Sequence, residues 1–219
     1  MKTNLIPATI LAVLLCNPEV GSAQGSGGPP ARSVADALER FEQDAAAPGS
    51  VSPVGWNWLL RIVRAASEPA RIDSVLYGIE RQALDSDNDR VRSRATSFLA
   101  VAGKAVADQR LHPVLPRLVH IYGMSADPIV RAAVIQGMPG QRPQTDAVAF
   151  LKQVATSMPG STHPDFADEP WEAVSVLSVM GDTGITALRE LRSSGTVTDW
   201  KARGYLDFIA RRGFRHPDA

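Results

Sequence analysis

Two runs of acid and arginine stand out: Asp87-Asn88-Asp89-Arg90-Val91-Arg92 and Asp127-Pro128-Ile129-Val130-Arg131. A carboxylate at a helix start can accept from the free backbone N–H groups and meets the positive end of the helix dipole. An arginine one turn later offers a forked guanidinium suited to a second carboxylate. The chemistry on offer is capping, ion pairing and recognition of negative charge. The sequence does not support catalysis in the same way. The histidines, His112, His120, His163 and His216, are scattered, and no His-Glu dipeptide occurs. There is no glycine-rich phosphate loop within an element and no Gly-x-Ser-x-Gly elbow. Cys16 is the only cysteine, so no thiolate cluster can form. The expectation is no catalytic residue, no cofactor and no metal site.

The two runs belong to a longer pattern. A looser copy opens at Asp168-Glu169-Pro170-Trp171-Glu172-Ala173 and a degenerate one at Ser52-Pro53. The starts Pro53, Asp89, Pro128 and Pro170 are 36, 39 and 42 residues apart. A fixed period of this size marks stacked supersecondary units. Apolar periodicity and capping residues predict ten helices and no strand. The first five cover Ser33–Ala47, Pro53–Ser67, a segment from Pro69 through Ala83, residues 89–104, and Pro113–Tyr122. The others run from Pro128 to Met138, Gln144–Ser157, Glu169–Met180, Thr183–Arg192 and Asp199–Arg212. Short polar connections make these five antiparallel hairpins. No single hairpin can bury its own apolar stripe, whereas a stack shares a continuous core.

At this point the chain resembles the HEAT-repeat family in its short bacterial form. The residues that carry the resemblance are Asp87 with Val91, Arg92 and Ala95, and Asp127 with Val130, Arg131 and Val134. Leu177 to Gly184, followed by Ile185, Ala187, Leu188 and Leu191, looks like the family's link between repeats. The resemblance spans Leu38 to Ile209. It implies an all-α fold, a right-handed α-solenoid of about five hairpins. It also implies that Asp89, Arg92, Asp127 and Arg131 are structural repeat positions, each arginine reaching the turn acid of the neighbouring repeat. In such arrays the second helix of each hairpin lines the concave face. Here those helices, 53–67, 89–104 and 128–138, carry Arg61, Arg64, Arg90, Arg92, Arg94, Lys104 and Arg131 against Asp89. A basic concave face would attract an acidic partner segment, with Arg61, Arg64, Arg90 and Arg94 as contacts and Trp58 and Trp171 as aromatic anchors. The competing reading is a compositional one, since arginine outnumbers lysine 19 to 4.

Composition and the chain ends add bounds. With 23 basic and 23 acidic residues, a formal net charge of zero argues against a general nucleic-acid or membrane-surface binder. Lys2, the apolar run Leu5–Leu15 and the small residues Gly21-Ser22-Ala23 read as a secretory signal over 1–23. A lipoprotein signal built on Cys16 is the rival, but Val13-Leu14-Leu15 are bulky for it. Residues 24–32 read as a Gly/Ser/Pro linker, 33–214 as the repeat domain and 215–219 as a tail. No later stretch is apolar enough to cross a bilayer. The expectation is an exported protein, periplasmic or secreted, that acts as a non-catalytic protein-interaction module or scaffold. Alternatives are an enzyme, or an accessory subunit of one, with a site assembled from different repeats, and a purely structural spacer.

Overall fold

The computed structural model describes residues 33–48, 54–65, 69–106, 108–157, 169–195 and 198–212. The expected export signal, linker and tail lie outside them, as do Ser52, Pro53, His163, Asp168 and His216. Among the described residues there are ten α-helices and no strand. They are α1 (Val34–Ala46), α2 (Val54–Ala65), α3 (Pro69–Asp85), α4 (Asp89–Ala105), α5 (Leu115–Met124), α6 (Pro128–Gly137), α7 (Gln144–Thr156), α8 (Glu169–Leu177), α9 (Gly181–Leu191) and α10 (Asp199–Arg212).

Local chemistry accounts for most of the boundaries. Ser33 Oγ accepts from the Asp36 amide at 3.0 Å and starts α1. Asp127 Oδ1 accepts from Ile129 N at 2.8 Å and Val130 N at 3.4 Å at the start of α6. At α4 the expected cap is displaced by one residue. Asn88 accepts from Arg90 N at 3.0 Å, and Asp89 is the first helical residue, its carboxylate bound to Arg92 instead. Helix α5 begins two residues later than the sequence suggests, with Pro116 in the first turn, where its missing N–H costs nothing. Helix α8 stops at Leu177 rather than Met180. Tight turn bonds take over there, from Val179 N to Val176 O and from Met180 N to Leu177 O, and the Gln144 amide caps the Met180 carbonyl at 2.9 Å.

Consecutive helices pack as five pairs: α1 with α2, α3 with α4, α5 with α6, α7 with α8, and α9 with α10. Each pair rests on the pair before and after it. Even-numbered helices lie side by side from α2 through α10; among odd-numbered helices α1 packs on α3, α3 on α5, and α7 on α9. Leu59, Leu76, Ile79, Phe98, Leu99, Leu118, Ile121, Ile135, Leu151, Leu177 and Leu188 are fully buried between them. An aromatic trio closes the first seam. Phe98 meets Trp56 edge-on with ring centroids 5.0 Å apart, and Phe41 at 5.7 Å. The α4–α6 contact needs small residues. A Cβ on Gly137 would stand 2.6 Å from Ala100 Cβ, and one on Gly103 would stand 2.1 Å from Gln141 Oε1. Gln141 is buried and ties this contact down, its amide donating to Ala100 O at 2.8 Å and Gly137 O at 2.9 Å.

The polar ties between pairs repeat the sequence period. Arg92 binds Asp127, 35 residues on; Arg131 binds Glu169, 38 on; Arg117 binds Glu80, 37 back; Lys152 binds Glu190, 38 on. A bond recurring at one unit's separation is what a chain of nearest-neighbour contacts produces.

Candidate functional site

The surface that carries unspent charge lies on the even-numbered helices. On α4, Arg90, Arg94, Ser97, Val101 and Lys104 recur every three or four residues, opposite the buried stripe Val91, Ala95, Phe98, Leu99 and Ala102. Phe98 packs toward α2 through Trp56, and Ala100 toward α6 through Gly137, so this outer stripe sits between those two helices. On α2 the corresponding exposed residues are Asn57, Arg61 and Arg64, opposite Leu59, Leu60 and Val63. On α6 they are the exposed Ile129 and the half-buried Ala132, Ala133 and Gln136. On α8 they are the half-buried Trp171, Glu172 and Ser175, with the exposed Val179 in the turn that follows.

The arginines on these helices divide into two groups. Arg92 and Arg131 point into the seams. Arg92 donates to Ser86 O at 2.8 Å and Asp127 Oδ2 at 3.1 Å, and also pairs with Asp89. Arg131 grips Glu169 with two bonds of 2.6 and 2.7 Å, donates to Tyr122 O at 3.0 Å, and stacks 3.8 Å from the Tyr122 ring centroid. Arg94, expected as a partner contact, is half-buried and donates to the Asp44 carbonyl at 2.8 Å, so it joins α4 to the end of α1. Arg61, Arg64 and Arg90 are exposed and make no ion pair among the described residues. Desolvation pushes the Lys104 ammonium below its ordinary pKa, its stem lying against Gly140. Of the aromatic candidates, Trp58 is half-buried against the core. Trp171 is also half-buried, with the Lys201 ammonium 5.6 Å from its ring centroid.

The most tightly organised polar group was not legible from the motifs. Glu169, 7 % exposed, accepts from Arg131 and from the Tyr122 hydroxyl at 2.6 Å. Burial, then the hydrogen bond and charge of Glu169, raise the Tyr122 phenol above its ordinary pKa. The Glu169 hydrogen bond likewise holds Arg131 above its own. The acid that Arg131 takes is thus the first residue of α8, not a turn residue. One sequence signal for it existed, because Glu169 lies 38 residues beyond Arg131, close to the 35 that separate Arg92 from Asp127.

The two described histidines, His112 and His120, serve the odd-numbered side. His112, buried, meets Asp73 at 2.9 Å, and His120 meets Glu80 at 3.1 Å beside Arg117, so both tie α5 or the turn before it to α3. Among the described residues no group of three or more His, Cys, Asp or Glu could hold a metal ion. No helix among them is long and apolar enough to cross a membrane. Comparison with known proteins finds no matching family model, no similar curated protein and no similar solved structure, so the functional reading rests on this face alone.

Proposed function

We propose that the chain is a non-catalytic protein-interaction module, a right-handed solenoid of five HEAT-like hairpins whose even-numbered helices form the concave face. Its partner presents an acidic segment to Arg61, Arg64 and Arg90. The observation that carries this reading is the division of labour among arginines. Those needed for stacking, Arg92 and Arg131, are consumed by carboxylates of the next pair, whereas these three stay exposed on adjacent helices and make no ion pair among the described residues. Complementary charge steers encounter and selects partners, and a surface fixed by packed helices needs little ordering on binding. The signal-like first 23 residues favour an exported protein and an envelope partner, periplasmic or secreted.

The test has two stages. The chain lacking residues 1–23 is used to capture its partner from the envelope fraction, and the partner is identified by mass spectrometry. Binding of that partner is then titrated against the Arg61→Glu, Arg64→Glu, Arg90→Glu triple variant at low and high salt. The expected result is affinity weakened by about a hundredfold, roughly a factor of five per lost contact, with a flatter salt dependence. Unchanged affinity overturns the acidic-partner reading. The three side chains are exposed and lie outside the seams, so circular dichroism of the triple variant should match the parent.

A further inference from the structure

We infer that the seam between the third pair (α5, α6) and the fourth (α7, α8) is a hinge, latched on its odd-numbered side by Tyr122. The two sides of this seam differ. On the even-numbered side α6 packs along α8, with Arg131 on Glu169 and the Gln136 amide on Glu172 Oε1 at 2.5 Å. On the odd-numbered side α5 and α7 scarcely touch. The other odd-numbered neighbours pack directly and carry their own ties: Gln82 to Leu38 O at 3.2 Å between α3 and α1, Arg117 to Glu80 between α5 and α3, and Lys152 to Glu190 between α7 and α9.

Tyr122 spans the sparse side. Its ring meets Phe150 of α7 edge-on, with centroids 5.0 Å apart and planes at 88°, and its hydroxyl reaches Glu169 of α8. Beside it, a Cβ on Gly123 would find nothing within 4 Å, and Val119 and Met124 on the same helix are exposed. Arg131 holds Tyr122 from within the third pair, through the ring face and the carbonyl. Release of Tyr122 from Phe150 and Glu169 therefore leaves the Arg131–Glu169 bond intact. The motion this allows is a rotation about the α6–α8 line that opens α5 from α7. Hinges of this kind concentrate movement where few contacts must break.

The consequence for binding rests on the proposed function. The exposed arginines lie on the first two pairs, and Trp171 and Glu172 lie on the fourth, so the hinge sets the separation between the two parts of the face.

The experiment needs no ligand, so its outcome is independent of whether the face binds an acidic segment. In the full chain carrying Cys16→Ser, spin labels are placed at Val119→Cys and Gln153→Cys across the odd-numbered side, and separately at Ile129→Cys and Val179→Cys across the even-numbered side. All four positions are exposed. Distance distributions are measured by double electron–electron resonance in the parent, in Tyr122→Phe, which keeps the ring and removes the hydroxyl, and in Phe150→Ala. The expected result in both variants is a longer-distance population across α5–α7, increased about tenfold over the parent, with the α6–α8 distance unchanged. An unchanged α5–α7 distribution in both variants overturns the latch. Equal broadening of both label pairs overturns the hinge, because it reports general loosening.

Discussion

Replacing Arg131 by methionine keeps the length and apolar stem of the side chain and removes its charge. Glu169 is then left 7 % exposed with the Tyr122 hydroxyl as its remaining described donor. Breaking a buried ion pair from one side costs about 3–5 kcal/mol, because the stranded charge keeps its desolvation penalty. Arg131 retains 22 % side-chain exposure, and Tyr122 still donates, so a loss of about 2–4 kcal/mol is expected. At ~2–4 °C per kcal/mol for a domain of this size, the midpoint falls by about 5–15 °C. Arg92→Met is the internal comparison. Its partners are Asp89, 74 % exposed, and Asp127, 15 % exposed, so its pairing is nearer the surface kind and the loss is about 1 kcal/mol. The double variant Arg131→Met, Glu169→Gln discharges the stranded group while keeping an acceptor for Tyr122. It should recover more than half of the single variant's loss. Thermal and urea unfolding followed by circular dichroism give all three values. The reasoning fails if Arg131→Met costs no more than the exposed control Arg61→Met, or if the double variant falls as far as the single one.

Other outcomes follow from neighbouring features. Gly137→Ala would drive a methyl to 2.6 Å from Ala100 Cβ, so it should destabilise the chain by about 1–3 kcal/mol in urea unfolding despite alanine's better helix propensity; a stabilised variant would mean that α4 and α6 are not closely apposed. Because the folded state holds the Tyr122 proton more tightly than the ordinary 10.0, that residue's contribution is complete below pH 10 and is lost as pH rises toward the folded value. Tyr122→Phe should therefore show a flatter decline of melting temperature above pH 10 than the parent, and parallel declines would refute it.

Helix starts were legible because they are local. Ser33 and Asp127 cap as their spacing suggests, and the apolar period locates the buried stripes of α3, α4 and α7. Asn88 and Asp89 were harder to separate, since either could accept from the same amides and only the reach of Arg92 decides which carboxylate is occupied. The resemblance sent Arg92 to a neighbouring turn acid, which it meets at Asp127, but nothing in the sequence separated Arg94 from the exposed arginines. Arg92 and Arg94 are two residues apart, which turns them about 200° around the helix, and so one enters the seam toward α6 while the other reaches back to α1. The acceptor Glu80 carries no motif of its own, and Glu169 stands only in the looser copy of the repeat motif. Tyr122 and Gln141 likewise acquire their roles from residues that the fold brings to them, from Arg131 and Phe150 in one case and Ala100 in the other.

The interpair bonds described here join consecutive pairs and skip none. Damage at one junction therefore has no second route, among the described residues, by which to reach a distant one. Duplication of a whole 36- to 42-residue unit would present to its neighbours the same faces the parent unit met, and the array could lengthen without redesign. A single residue inserted within α4 would do the opposite. It would turn everything downstream in the helix by about 100°, lifting Gln141's carbonyl partner on Ala100 out of register while leaving the composition almost untouched.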